Sequence, residues 1–488
     1  MTSTSILVKR TDVIIRPDQS RVLLRPFAPG DGERIGRIIG RIIAIPESQV
    51  NRLLTEVCAE FGERHHQIRA VFLERFEQVR QFLAHSEELP EERKMLIGSY
   101  FVAEYSLESA ALFNPSIVPH PDQSGLPANA LRFVLSLRAT GEGHISSITF
   151  RTGIISSDNR IEIAPAAKFL TEPRQTPNAL YEKLQFKCKL FELGLANEFT
   201  GRVMHKMKEL FTFEELRSSI DEQLRRPCLV EQLADRTNTA DGIWTLAKSN
   251  HEVQFKPEQW LSERILFPST PSQRNGIEDA RFVRFQEDDG SFVYYATFTA
   301  FDGRLIVPQL VETSDFLRFR FITLNGPGAE NKGVAIFPRK INGKYVMLSR
   351  QDNENIYLMF SESVYFWHER QLIAKPSFPW ELIQLGNCGS PIETEAGWLV
   401  LTHGVGPMRK YCIGAFLLDR DDPSKLIGRL REPLLQPNQN EREGYVPNVV
   451  YSCGALVHNG DLIIPYAMAD YASSFATVPV RDVLAAME

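Results

Sequence analysis

The stretch "DGSFVYYATFTAF" (residues 289–301) joins a tight-turn signal to an aromatic-rich strand. The same combination recurs as "NGKYVMLSR" (342–350), "AGWLVLTHG" (396–404) and "NGDLIIPYAMAD" (459–470). The turn glycines stand at 290, 343, 397 and 460, so they are spaced by 53, 54 and 63 residues. Each turn joins two strands of a hairpin. One supersecondary unit per fifty-odd residues is typical of a β-propeller.

A fifth unit of this kind lies earlier in the chain, as "ALRFVLSLRA" (130–139). Five blades therefore fit residues 113–488, and the pattern predicts a mainly β protein with a five-bladed β-propeller over these residues. A β-sandwich is the alternative, but sandwiches do not usually repeat at this period.

Two helical segments accompany the predicted blades. Residues 1–112 open with a strand-like run and continue with apolar residues at helical spacing, among them Val50, Leu54 and Val57. A second helical block, at about 176–226, interrupts the strands, and its "TFEE" (212–215) has the spacing of a capping box. We expect an N-terminal extension and an insertion that serve as scaffold or subunit contacts. Subunit contacts through the extension would make the protein a homo-oligomer.

Composition excludes several classes of protein. The 488 residues are 43% hydrophobic and 24% charged, an ordinary globular balance, and the net charge of -6 gives no reason to expect nucleic-acid binding. No apolar run is long enough for a membrane helix, and the N-terminus lacks the pattern of a signal peptide. The six cysteines are scattered without a C-x-x-C pair, which favours free thiols over a disulfide set or a metal site. We expect a cytoplasmic protein.

The loop "NGIEDARF" (275–282) carries the first chemical signal. Glu278, Asp279 and Arg281 fall within four positions directly before an aromatic strand. A solvated turn would account for one or two of these charges. Two adjacent carboxylates beside an arginine also make an acid catalyst with a charge partner.

Other polar residues recur in the same part of each repeat. They are Arg304, Lys340, Arg350, His403 and Asp470. Three of them have an ordinary structural alternative: Arg304 as a solvated hairpin residue, Lys340 as part of a basic edge, and His403 as a hydrogen-bonded core residue. If they converge on a central channel, one acid and several cations would suit a polyol ring beside an oxyanion such as phosphate.

Six ordered motifs resemble those of glycoside hydrolase family 130, which contains β-mannoside phosphorylases and some β-1,2-mannosidases. The motifs are "FNPSI" (113–117), "GIEDARF" (276–282), "FPRKINGKYVMLSR" (337–350), "GSPIETEAGWLVLTHGVG" (389–406), "LLDRDDPSKLIGR" (417–429) and "YVPNVVYSCGAL" (445–456). The likeness covers roughly 113–475 apart from the inserted helices.

This resemblance implies a five-bladed propeller and inversion at the anomeric carbon. It also implies that Asp279 is the catalytic acid, which acts in the family's phosphorylases through a hydroxyl of the bound mannose. Ala280 stands where the family usually has Pro, which implies a more flexible loop. We expect the sugar to be held by five residues: Asn114, Arg138, Glu278, Arg281 and Asp470.

The identity of the nucleophile, phosphate or water, distinguishes a phosphorylase from a hydrolase. An inverting phosphorylase needs cations to hold phosphate, and Arg304, Lys340, Arg350 and His403 are the expected phosphate ligands. An inverting hydrolase needs a carboxylate base, for which Glu393 and Glu395 are the candidates. We favour phosphorolysis of β-mannosides to α-mannose 1-phosphate, with inorganic phosphate as co-substrate and no metal or other cofactor. A carbohydrate-binding propeller without catalysis is a third reading, which the retained Asp279 disfavours.

Overall fold

The computed structural model of the protein describes residues 6–83, 88–176, 180–227, 230–301 and 306–488. Strands dominate: the described ranges hold twenty-nine strands and nine α-helices. None of these helices combines the length and the apolar character needed to cross a bilayer.

The N-terminal region holds three strands and four helices. They are β1 (Lys9–Ile15), β2 (Val22–Pro26), α1 (Gly32–Ile43), α2 (Glu47–Phe61), α3 (Ile68–Val79), α4 (Glu91–Ser99) and β3 (Val102–Ser106). The Asp31 side chain accepts a hydrogen bond from the Arg34 backbone and begins α1 as an N-cap. Ile35, Ile39 and Ile42 fall on one face of α1 and pack into the core shared by these helices.

Four strands follow: β4 (Ala111–Pro119), β5 (Leu131–Thr140), β6 (Ser146–Ile155) and β7 (Ile161–Ile163). A helical segment comes next, with β8 (Arg174–Gln175), β9 (Leu180–Glu182), α5 (Lys183–Glu192), α6 (Glu198–His205), β10 (Leu210–Thr212), α7 (Phe213–Leu224) and α8 (Val230–Ser249). The helices thus continue past the predicted end at 226. The predicted capping box of α7 is confirmed, since Thr212 and Glu215 bond reciprocally.

The rest of the chain is almost entirely strands. They are β11 (His251–Gln254), β12 (Ile265–Leu266), β13 (Ile277–Gln286), β14 (Phe292–Phe301), β15 (Ile306–Thr313), β16 (Arg318–Thr323), β17 (Lys332–Ile336), β18 (Tyr345–Arg350), β19 (Ile356–Ser361), β20 (Gln371–Ala374), β21 (Gln384–Asn387), β22 (Ile392–Thr394), β23 (Gly397–Val405), β24 (Tyr411–Leu418), β25 (Leu426–Arg429), β26 (Val450–Tyr451), β27 (Leu456–His458), β28 (Asp461–Met468) and β29 (Ala472–Pro479). Helix α9 (Val480–Ala485) ends the series.

These strands form five large antiparallel sheets within the described residues. Sheet 1 has the order β12-β6-β5-β4 and sheet 2 the order β13-β14-β15-β16-β11-β8. Sheet 3 runs β17-β18-β19-β20, sheet 4 runs β21-β23-β24-β25, and sheet 5 runs β1-β29-β28-β26. Because β1 pairs with β29, the beginning and the end of the chain lie in one sheet.

Each sheet shares a hydrophobic core with the next, and sheet 5 shares one with sheet 1. The five clusters contain, in turn, Phe150 with Phe282, Phe285 with Met347, Leu348 with Trp398, Leu401 with Ile464, and Phe475 with Phe133. Both faces of most strands are therefore buried, which is why the sequence shows near-continuous apolar runs rather than strict alternation. The helices from α5 to α8 pack around a core of their own.

Candidate active site

A cavity of ≈ 270 Å³ lies where edge strands of all five sheets meet. Each of these edge strands contributes one or more lining residues, namely Asn114 (β4), Glu278, Asp279 and Arg281 (β13), Lys332 (β17), Gln384 (β21) and Tyr451 (β26). Arg138, Arg350, His403 and Asp470 complete the side chains on which the chemistry depends. Residues that are far apart in sequence thus converge on one pocket.

Asp279 is held in the pocket by a distorted backbone. The pairing of β13 with β14 shifts register between Glu278 and Arg281, and Asp279 itself has a φ of 55°. Its neighbour Asn114 has a φ of 49° and lies in a similar register shift of β4. Left-handed backbone is unfavourable for residues with a Cβ and persists where surrounding structure enforces it, often at functional sites.

Two donors converge on the Asp279 carboxylate. Asn114 Nδ2 donates to Oδ1 at 2.7 Å, and Arg138 Nη1 donates to the same oxygen at 3.2 Å. Arg138 Nη2 also donates to Glu278 at 2.8 Å, and its Nε donates to Ser146 Oγ at 2.8 Å. Arg138 therefore joins the two adjacent carboxylates and is itself fixed by β6.

The charge state of Asp279 follows from these surroundings. Burial alone would raise the pKa of its carboxyl, but the charges of Arg138 and Arg281, the hydrogen bond from Asn114 and the charge of Lys332 together lower it. With these groups around it, Asp279 is a carboxylate at neutral pH.

Besides Arg138 and Arg409, three further cations line the pocket: Arg281, Lys332 and Arg350. Lys332 lies directly opposite Arg350 in the pairing of β17 with β18. Arg281 Nη2 donates to the Tyr451 hydroxyl at 2.7 Å. The buried Nε atoms of Arg281 and Arg350 have no hydrogen-bond partner among the described residues. Burial lowers the pKa of Arg350, and the charge of Arg281 adds to this effect. Clustered, incompletely satisfied cations make a site for an anion.

His403 lies behind Arg350 as a neutral side chain. Arg350 Nη1 and Gln384 Nε2 each lie 3.2 Å from its Nε2, and its Nδ1 lies 3.2 Å from the Asn387 carbonyl oxygen. These contacts require Nε2 to accept and Nδ1 to donate. Burial, together with the charges of Arg350 and Arg281, holds the pKa of His403 well below its usual value. His403 is in the pocket, but it orients Arg350 rather than supplying a further charge.

The close contact of His403 and Arg350 depends on Gly386. A Cβ at this position would come 2.4 Å from His403 Cε1 and 3.2 Å from Arg350 Nη1. Only a glycine leaves room for the two side chains to pass the β21 backbone.

Asp470 lies in the turn between β28 and β29, where both Ala469 and Asp470 have a φ of 48°. Its carboxyl has no hydrogen bond or ion pair within the described part of the chain. Burial and the nearby Asp279 raise its pKa to about 7, against the opposing charges of Arg138 and Arg409. Two carboxyls with opposite pKa shifts therefore share one pocket.

Several predicted residues lie elsewhere. Lys340 does not reach the pocket, because its ammonium pairs with Asp288 and lies 4.9 Å from the Tyr345 ring centroid. Arg304 falls outside the described residues. The predicted bases are also absent from the pocket lining: Glu393 pairs with Arg339 at 2.6 Å, and Glu395 is in an exposed turn.

Sequence reasoning missed the pocket residues Lys332, Gln384, Arg409 and Tyr451. The turn at Asn342 and Gly343 does not by itself predict the position of Lys332. A register shift between Lys332 and Ala335 is needed to set Lys332 opposite Arg350.

Comparisons with known proteins agree with the motifs. The family model described as beta-1,4-mannooligosaccharide phosphorylase, of glycoside hydrolase family 130, matches residues 232–488, more than half of the chain. A 1,2-beta-oligomannan phosphorylase from Thermoanaerobacter sp. (strain X514) is 36% identical over 231 residues, which cover 46% of this chain and 75% of that protein. A beta-1,2-mannobiose phosphorylase from Listeria innocua serovar 6a is 33% identical over 231 residues, 46% of this chain and 63% of its own.

Among solved structures, a beta-1,2-mannobiose phosphorylase from Listeria innocua in complex with beta-1,2-mannobiose aligns with a TM-score of 0.46 and 21% identity. The alignment covers 77% of this chain and 92% of that one. The family assignment rests on the sequence matches, which include the loop of Asp279 and the strands of Lys332, Arg350 and His403. The chain belongs to glycoside hydrolase family 130.

Proposed function

We propose that the protein is an inverting phosphorylase that cleaves β-mannosides with inorganic phosphate and releases α-mannose 1-phosphate. The observation that carries the proposal is the cluster of Arg281, Lys332 and Arg350 beside Asp279, with two buried guanidinium Nε atoms unsatisfied in the described residues. Phosphate has a charge near -2 at neutral pH and several acceptor oxygens, so it suits this cluster.

The fold supports a convergent pocket of this kind. We infer that the five sheets are the blades of a five-bladed β-propeller, because neighbouring sheets share cores, sheet 5 shares one with sheet 1, and an edge strand of each lines the pocket. Residues 1–112 are then an N-terminal extension to the propeller of residues 113–488, although β1 contributes a strand to the last blade. The helical insertion extends to Ser249.

Phosphate binding prepares the acid in this mechanism. An anion on Arg281 and Lys332 offsets part of the charge that lowers the pKa of Asp279, so that carboxyl becomes easier to protonate. A phosphate oxygen attacks the anomeric carbon while the bond to the glycosidic oxygen breaks. A proton passes from Asp279 through a mannose hydroxyl to the departing oxygen, and Asp279 ends as a carboxylate.

The other pocket residues position these groups. Asn114 and Arg138 hold the Asp279 carboxylate, and His403 holds Arg350. Glu278 and Asp470 supply acceptors for sugar hydroxyls. No cofactor other than phosphate is required, because phosphate arrives as an anionic nucleophile and needs no base.

An inverting β-mannosidase is the second candidate, and one observation favours it. Asp470 is a pocket carboxyl without a partner in the described residues, and a base with a pKa near 7 suits water activation. It replaces Glu393 and Glu395 as the candidate base, since both lie outside the pocket lining. The cation cluster favours the phosphorylase, because water needs no anion site.

The preferred linkage is proposed from the relatives. Proteins named as 1,2-beta-oligomannan and beta-1,2-mannobiose phosphorylases support a β-1,2-linked substrate. The beta-1,4-mannooligosaccharide phosphorylase of Ruminococcus albus is 37% identical over 166 residues, so β-1,4-mannobiose is the comparison substrate.

A cytoplasmic location and a homo-oligomer complete the proposal. Cys58, Cys188, Cys388, Cys412 and Cys453 are free thiols, as expected in a reducing compartment. The helical additions offer surfaces for contact between subunits, and their residues take no part in the proposed chemistry.

The deciding experiment compares products with and without phosphate. The protein is incubated with β-1,2- or β-1,4-mannobiose, and mannose 1-phosphate and free mannose are measured. We expect phosphate-dependent α-mannose 1-phosphate, formed faster from the β-1,2-linked substrate. Equal release of mannose without phosphate, abolished by Asp470→Asn, would establish the hydrolase instead.

A further inference from the structure

A histidine and a tyrosine that are 301 residues apart meet on the protein surface. The Tyr445 hydroxyl lies 3.1 Å from His144 Nδ1, and the two ring centroids are 5.7 Å apart with an interplanar angle of 31°. Tyr445 is 48% exposed, so the pair presents ring surface to solvent while one polar contact fixes its geometry.

Short backbone connections link this pair to two walls of the pocket. His144 lies in the turn between β5 and β6, two residues before Ser146, whose hydroxyl holds Arg138. On the other side, Val446 N donates to the Ala469 carbonyl oxygen at 2.9 Å, next to Asp470. Both partners are thus tied to elements that carry pocket side chains.

The backbone is constrained both in the turn that carries His144 and in the segment before Tyr445. Gly143 and His144 have φ values of 67° and 59°, so the turn that carries the imidazole has a left-handed backbone. A Cβ on Gly444 would lie 2.6 Å from the Ala469 oxygen, so the segment before Tyr445 packs tightly against the turn of Asp470. Such rigid placement lowers the ordering cost of binding a ligand.

The size of the cavity indicates what this surface would bind. Drug-sized ligands usually occupy pockets of about 300–1,000 Å³. A cavity of ≈ 270 Å³ lies just below this range, so with one sugar ring and an anion bound inside, the second sugar of a disaccharide would extend toward the open rim.

We propose that the His144–Tyr445 pair is the binding platform for the leaving sugar of the β-mannoside. The inference rests on the proposed function, and it deepens that function by assigning the acceptor side of the site. The apolar C–H groups of the sugar pack on the tyrosine ring, and its hydroxyls reach the polar atoms of both side chains. The pair would therefore contribute to acceptor binding without touching the mannose that is transferred.

The reverse reaction separates the two sides of the site. In synthesis from α-mannose 1-phosphate and mannose, the donor fills the inner cavity and the acceptor lies on the platform. Tyr445→Ala should raise the KM for the acceptor about three- to tenfold, the range of an aromatic contact. The KM for α-mannose 1-phosphate should stay within about twofold. Tyr445→Phe and His144→Ala should give smaller increases, because the ring remains and loses only its fixing contact.

Tyr100→Ala is the matched control, because Tyr100 is 47% exposed at the end of α4. The platform would be overturned if Tyr445→Ala raised the acceptor KM no more than this control does. It would also be overturned if Tyr445→Ala raised the KM for the acceptor and the KM for α-mannose 1-phosphate equally.

If the wild-type protein shows neither phosphorolysis nor synthesis, the proposed function is refuted but the platform is not. In that case, binding of β-1,2-mannobiose and of mannose, measured by calorimetry, tests the platform. Weaker binding of the disaccharide alone by Tyr445→Ala supports the platform, and unchanged binding overturns it.

Discussion

Two cavities in this molecule differ in how their charged groups are satisfied. The larger, of ≈ 680 Å³, lies between β2, the start of α3 and residues 254–263. There Arg25 pairs with Glu172, and His65 lies 2.7 Å from Glu104. Arg75 donates to backbone carbonyl oxygens.

The smaller cavity, of ≈ 270 Å³, has the opposite character. Arg281 and Arg350 each keep an unsatisfied buried Nε within the described residues, and the Asp470 carboxyl has no partner there. Asn114, Asp279 and Asp470 all have left-handed backbone, which is unfavourable unless the surrounding structure enforces it.

The difference shows that cavity volume alone does not identify the functional site. Charges that satisfy one another stabilise a junction between segments, whereas several unsatisfied groups gathered in one cavity suit a ligand that supplies the missing partner. Substitutions in the two cavities should therefore have different consequences: activity should change in the smaller and stability in the larger.

The largest effect is expected for Asp279→Asn. An amide cannot donate the proton to the leaving oxygen, so phosphorolysis should fall about 100- to 10,000-fold. The substitution keeps the shape and the contact with Asn114 Nδ2 through the amide oxygen, so the protein should remain folded. The melting temperature should fall, because the carboxylate that pairs with Arg138 is lost. Turnover of β-1,2-mannobiose and the melting temperature are the measurements. A variant with near wild-type turnover on this unactivated substrate would remove Asp279 from the mechanism.

Lys332→Met and Lys340→Met form a matched pair. Lys332 lines the pocket opposite Arg350, whereas Lys340 pairs with Asp288 outside it. A charge-assisted contact contributes about 1.5–3 kcal/mol, so Lys332→Met should raise the KM for phosphate roughly ten- to hundredfold. Lys340→Met should leave that KM within about twofold. The reverse order of effects would restore Lys340 as a phosphate ligand.

The contrast between these lysines also shows what the sequence could predict. The turn glycines and aromatic strands predicted the mainly β fold, and the capping box of α7 was readable because it is a local pattern. The position of a lysine relative to a distant arginine is not local. It depends on strand register, and the β17–β18 pairing contains a shift between Lys332 and Ala335.

The end of the helical segment was missed for a related reason. Helix α8 contains Thr237, Asn238, Thr239 and Gly242, residues of low intrinsic helix propensity. Packing of the helix into the core of the inserted segment overrides that preference. Likewise, the tautomer of His403 depends on contacts with β21, and no sequence pattern shows them.

For Asp470→Asn, a smaller effect is expected in the pH dependence of stability, beside any change in sugar binding. The folded pKa of Asp470, about 7, is above the unfolded value of about 4, so the native state favours the protonated carboxyl. The wild type should therefore lose stability relative to the variant as pH rises from about 4 to about 7, and the difference should stay constant above that. Melting temperatures of the two proteins at pH 4, 6 and 8 test this sign. A difference in melting temperature between the two proteins that is the same at pH 4 and at pH 8 would contradict it.

The smallest effect is expected in the larger cavity. Arg25 and Glu172 pair there with side-chain exposures of 32% and 36%, and the Arg25 guanidinium also lies 4.2 Å from the Phe267 ring centroid. Solvent screens a pair of this exposure, so Arg25→Met should lower stability by about 1 kcal/mol or less. Because Arg25 and Glu172 already satisfy each other, phosphorolysis should remain within about twofold of wild type. Melting temperature and the KM values for phosphate and mannobiose are the measurements, with Lys332→Met as the positive control. A tenfold loss of activity without unfolding would show that the larger cavity takes part in catalysis, and the distinction between satisfied and unsatisfied charge would no longer separate the two sites.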